Sequence, residues 1–136
     1  MQLENMPLAR QVDFVFRHLE DELTNAVGGT VTIQIRNNTV GKFGVRHNPI
    51  EMCDGEIGEA GKGLSPEQVL SFRRMAVEAL RHKRSWTHGE ILYDFAVRGG
   101  KGGWSASVLY ESNYNSANWT YRYQPKQPTL KGNQFA

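Results

Sequence analysis

The hydrophobic period of this chain switches from helical to alternating twice, and that double switch limits the folds open to it more than any other feature. Over residues 8–27, Leu8, Val12, Val15, Phe16, Leu19, Leu23 and Val27 recur at three- and four-residue spacing. Arg10, Asp13, Arg17, Glu20 and Asp21 fill the opposite face, the pattern of an amphipathic helix. Pro7 suits a first helical turn, and Gly28-Gly29 reads as a stop. Residues 30–36 then alternate, with Val31, Ile33 and Ile35 on one side. Residues 42–47 alternate again with Phe43 and Val45 inward, and residues 37–41 between them have turn chemistry. A β-hairpin is expected here.

The second helix has the clearest start signal. Ser65 is placed as N-cap, Pro66 at N1, and Gln68 at N3 to complete a capping box; Leu64 and Val69 are spaced for a hydrophobic staple. Val69, Phe72, Ala76, Ala79 and Leu80 form its apolar stripe, and Arg73, Arg74, Glu78 and Arg81 are expected in solvent. Arg81, His82, Lys83 and Arg84 place positive charge at the C-terminal end, where the helix dipole favours it. Residues 90–98 read as a strand with Ile91, Tyr93, Phe95 and Val97 on one face. A Gly-Gly-Lys-Gly-Gly turn over 99–103 leads into a strand over 104–111, alternating at Trp104, Ala106, Val108 and Tyr110. Residues 119–123 alternate once more.

The expected fold is therefore α+β, with two amphipathic helices packed on one face of an antiparallel sheet. The order is helix–hairpin–helix–hairpin, plus a short C-terminal strand or arm. The 136 residues make one domain, assigned to 1–123, followed by a polar tail over 124–136. The one cysteine, Cys53, allows no internal disulfide and no Cys-rich zinc site. No apolar run approaches the ~18 residues of a membrane span. Residues 1–22 are too acidic for a leader, so a cytoplasmic protein with no membrane association is expected.

Residues 48–64 read as a loop with Pro49, four glycines and mainly acidic charges at Glu51, Asp54, Glu56 and Glu59. Its Gly-Lys ending is not a phosphate loop: the spacing from Gly55 to Gly61 is one residue too long, and Gly63 stands where a hydroxyl would hold magnesium. His88-Gly89-Glu90 lacks the cysteines that a zinc deaminase needs. No metal site, cofactor or catalytic residue is assigned. A nucleophile–base pair of Cys53 with His47 or His88 remains as a third, enzymatic reading.

The helix with basic residues near its end, Trp86-Thr87, the alternating strand, the Gly-Lys turn and a strand ending in Tyr110-x-x-x-Tyr114 resemble the YezG-like family of small bacterial immunity or antitoxin proteins. The resemblance covers residues 70–114. It implies an α+β module that binds and blocks a toxin domain without doing chemistry. Members of that family tend to be acidic, whereas this chain is slightly basic.

Candidate binding residues follow from charge and aromatic placement. Arg36, Lys42, Arg46 and His47 concentrate on the first hairpin, with Arg36, Lys42 and Arg46 on the polar parity. Arg98 and Lys101 mark the second hairpin, and Arg122 lies among Trp119, Tyr121 and Tyr123. These groups suit a protein partner or, as the alternative, a nucleotide or single-stranded nucleic acid held by stacking and phosphate contact. Aromatics past the second hairpin also suit a homodimer contact. The net charge of +2 hides a division: residues 1–30 carry −3, 31–50 carry +3, 51–70 carry −4 and 71–90 carry +3. Such separated patches favour a specific partner over bulk nucleic-acid binding.

Overall fold

The computed structural model describes residues 6–58, 61–83, 88–98 and 103–114. The elements are α1 (Leu8–His18), α2 (Glu20–Thr24), β1 (Gly28–Arg36), β2 (Thr39–His47), β3 (Met52–Cys53), β4 (Glu56–Ile57), α3 (Pro66–Glu78), a 3₁₀ turn (Ala79–His82), β5 (His88–Val97) and β6 (Trp104–Ser112). Four strands form one antiparallel sheet in the order β2-β1-β5-β6, and β3 pairs with β4 in a separate small hairpin. The α+β class and its antiparallel sheet are as the hydrophobic periods predict.

Alternate residues on the central strands build the core. Val31, Ile33, Ile35, Ile91, Tyr93 and Phe95 are each no more than 4% exposed, and α1 and α3 supply Val12, Val15, Phe16, Val69, Phe72 and Ala76 against them. Phe72 is the centre of this packing. Its ring meets Phe16 at 4.9 Å, Phe95 at 5.5 Å, Trp104 at 5.6 Å and Tyr93 at 6.1 Å between centroids. Two tyrosines tie the sheet to α3 and the turn after it: Tyr93 donates to the Ala76 carbonyl at 3.0 Å, and Tyr110 donates to that of Ala79. Burial, reinforced by neighbouring Tyr110, pushes the Tyr93 phenol well above its ordinary pKa. Desolvation also raises that of Tyr110. The capping box forms as expected, with Gln68 N–H donating to Ser65 Oγ at 3.1 Å and Ser65 N–H to Gln68 Oε1 at 2.9 Å.

The structure corrects several boundaries. The stretch expected as one helix over 8–27 breaks at Leu19 and ends at Thr24, where the Thr24 and Asn25 side chains both donate to the Asp21 carbonyl. Side chains that take up a last-turn carbonyl in this way compete with further helix. Gly28-Gly29 is not the helix stop but the start of β1. Gly29 has φ +152°, and a Cβ there would overlap the Arg46 carbonyl. The first turn is tighter than expected: Asn37 (φ 54°) and Asn38 (φ 59°) make a two-residue turn whose positive φ values match the strand twist. β2 then begins at Thr39, and a bulge sets Gly41 and Lys42 together opposite Gln34.

The acidic loop contains the β3–β4 hairpin, turned by Asp54 (φ 54°) and Gly55 (φ 80°). Arg73 is not solvated as expected. Its Nε lies 2.9 Å from Asp13 Oδ1, while Arg17 meets the other oxygen at 3.1 Å, so one carboxylate joins α1 to α3. Ala79 and Leu80 are only half-buried, because the helix tightens into the 3₁₀ turn there. Val108, expected inward, is exposed at the β6 edge. The expected strand over 119–123, the tail over 124–136, Trp86 and the centre of the second turn lie outside the described residues. No helix among the described residues is long and apolar enough to cross a membrane.

Candidate functional site

Among the described residues, the helices cover one face of the sheet and leave the other open. Thr30, Thr32, Gln34 and Arg36 on β1 point to the open face, as do Glu90, Leu92, Asp94 and Ala96 on β5, by alternation with the buried positions. Cross-strand bonds order this face: Thr30 donates to Asp94 at 2.6 Å, and Gln34 Nε2 donates to Glu90 at 3.2 Å.

Arg36, Lys42 and Arg46 all lie on this face, as their parity predicts. They do not form one patch. Arg46 is opposite Thr30 in the register and Arg36 lies six residues further along β1, which separates them by roughly 20 Å. Arg36 and Lys42 instead share one end of the sheet with His88, Glu90, Gln34 and Asn113, lining a cleft of about 530 Å³. His88 stands opposite Arg36 in the β1–β5 register, so the strand pairing itself brings it to the cleft. Its parity with Glu90 along the last strand pair was the available signal for this grouping.

His47 departs from the other three. Its parity is that of Val45, so it turns to the helix side, where Nε2 lies 2.7 Å from Glu22 of α2. It borders a second opening of about 450 Å³ with Asn25, Asn48, Ile50 and Glu51. Arg98 is exposed at the far end of β5, its backbone N–H closing the second turn onto Gly103 at 2.7 Å. Lys101, Trp119, Tyr121 and Arg122 lie outside the described residues. Cys53 sits exposed on β3 with its thiol 4.0 Å from Asp54, so it and His47 each engage a carboxylate rather than each other. No group of three or more His, Cys, Asp or Glu among the described residues is arranged to hold a metal ion.

The Gly-Lys stretch does not wrap an anion. Gly63 packs on the backbone at Thr24, where a Cβ would not fit, and the opening beside Lys62 is also lined by Glu20 and Asp21. The neighbouring β3–β4 hairpin carries a feature that residue periodicity missed. Met52 and Ile57 are a cross-strand pair and stand 75% and 71% exposed, with Ile50 nearby in sequence at 54%. The only charges on residues 48–58 are Glu51, Asp54 and Glu56, all exposed. The signal was present as three large apolar residues inside an acidic, glycine-rich segment. Compared with family models, with curated proteins and with solved structures, the chain matches none.

Proposed function

We propose that the protein is a small binding module that acts by docking on a protein partner, in the manner of immunity and antitoxin proteins, with the β3–β4 hairpin as its contact. The observation that carries this is the exposed Met52–Ile57 pair on a hairpin whose charges are all acidic. Clustered apolar side chains held in water mark contact surfaces more often than chance. Burying each of these two in a partner's pocket contributes about 1.5–3 kcal/mol. The surrounding carboxylates steer a basic partner and speed its approach. The local acidity also suits the basic toxin domains that the immunity-type resemblance implies, although the whole chain carries +2.

The test is affinity capture from the source cell with the intact chain and with the M52S/I57S variant. A basic protein retained by the intact chain and lost by the variant supports the reading. Recovery of no protein partner overturns it.

A second reading places a nucleotide or single-stranded nucleic acid in the Arg36–Lys42 cleft. The cations and His88 favour it, and the Glu90 carboxylate in the same cleft opposes it. Binding that falls steeply with salt and with R36A/K42A supports this reading. Binding that is absent, or indifferent to salt, rejects it.

A further inference from the structure

The open face carries a charge division that the described residues do not satisfy among themselves. Lys42 and Arg46 on β2 make no ion pair among the described residues. On the other half of the sheet, Glu90 and Glu111 stand directly opposite each other across β5 and β6. Like charges so placed are destabilising, and among the described residues only the neutral amide of Gln34 donates to Glu90. Positive charge thus runs along the β2 side and negative charge along the β6 side of one surface.

Shape follows the same division. Gly44, Thr32, Leu92 and Leu109 form one row across the open face, each in register with the next. Leu109 at one end is 61% exposed. At the other end, a Cβ on Gly44 would meet nothing within 4 Å. A projecting side chain and a vacant position therefore lie equally far from the midline of the sheet.

We propose that a second copy of this chain covers the open face, related by a two-fold axis that runs along the strands between β1 and β5. Rotation about that axis exchanges β2 with β6 and β1 with β5, and leaves each row at its own level. Leu109 of one copy is then seated over Gly44 of the other, and Leu92 faces Thr32 near the axis. Lys42 falls opposite Glu111, twice per dimer, and relieves the Glu90–Glu111 pair. A two-fold axis across the strands would instead lay β2 on β2, bringing Lys42 against Arg46 and Glu90 against Asp94, and charge repulsion rejects it. The result is a β-sandwich of two four-stranded sheets, stacked ~10 Å apart. Four strands of about nine residues present a face of roughly 19 by 30 Å before side-chain relief is counted. That relief brings the buried area toward the ~800 Å² per partner of a stable interface. This surface is separate from the β3–β4 tip, so the inference does not depend on the partner proposed above.

The test uses the purified full chain, with mass read by light scattering and dissociation by sedimentation over a concentration series. The intact protein is expected as a dimer. K42E and E111K each set like charges across both symmetry-related contacts and are expected to weaken the dimer roughly tenfold or more. Mixed together, the two variants regain opposite charge at both contacts, so a heterodimer of near-normal affinity is expected. L109K is expected as a folded monomer, with circular dichroism confirming the fold. A monomeric intact protein, or a mixture of K42E and E111K that fails to associate better than either alone, overturns the proposal.

Discussion

The two faces of the sheet are built from neighbouring residues of the same strands, yet they obey different physics. On the covered face Val31, Ile33, Ile91, Tyr93 and Phe95 are sealed under α1 and α3, with the buried Tyr93 phenol and the half-buried Tyr110 phenol bonded to helix or turn carbonyls. On the open face the residues between them make pairwise polar contacts, such as Thr30 with Asp94, and leave Leu109 in water. One face holds the fold together. Among the described residues, the other face leaves Lys42 and Arg46 without an ion pair and Leu109 exposed, and the core does not depend on it. A period of two residues keeps the roles apart.

The comparison breaks hardest at Phe72. Phe72→Ala removes the ring that touches Phe16, Tyr93, Phe95 and Trp104. It is expected to cost about 3–5 kcal/mol, enough to unfold a marginal domain. Denaturant titration measures this directly.

Gln11 is the next largest. It is wholly buried, accepts from the Val40 N–H at 2.7 Å, and donates to the Met6 and Asn38 carbonyls at 2.9 and 3.1 Å. The single amide clamps α1 onto the first hairpin. Gln11→Ala strands those backbone groups and is expected to cost roughly 1–3 kcal/mol by the same titration. An equal loss from an open-face substitution such as Thr32→Ala would erase the distinction between the faces.

Alkaline pH attacks the covered face selectively. The Tyr93 phenol has a folded pKa raised above that of the unfolded chain, so folding favours its protonated form. Stability is therefore expected to hold below the unfolded phenol's pKa of ~10 and to fall as pH rises above it. Thermal melts across that range, compared with Tyr93→Phe, read the effect. A Tyr93→Phe protein with the same alkaline loss would remove this tyrosine as its source.

The smallest effect sharpens the comparison most. Glu111→Gln removes the like-charge pair with Glu90. In dilute protein it is expected to raise stability by about 0.2–1 kcal/mol, while the same change weakens association. Opposite signs for folding and assembly are what a face reserved for recognition should give.

Much of the fold is legible in the sequence. The capping box at Ser65–Gln68, the inward parity of Ile91, Tyr93 and Phe95, and the polar parity of Arg36, Lys42 and Arg46 follow from local chemistry and period. The candidate site is legible only in part. Parity places Arg36 and Arg46 on one face but not their distance along it, which depends on the register with β2 and β5. The Leu19 break and the β3–β4 hairpin escaped because the first preserves the apolar spacing and the second has strands too short to show a period.

Local pattern thus determined the elements, their amphipathic faces and the charge blocks along the chain. Tertiary structure alone decided which blocks meet. It set β5 beside β1, and so brought His88 to Arg36 and Glu90 to Gln34. It set His47 against Glu22 and Glu111 against Glu90. Strand order and register are long-range choices, made by the packing of Phe72 and the buried stripes rather than by the residues they bring together.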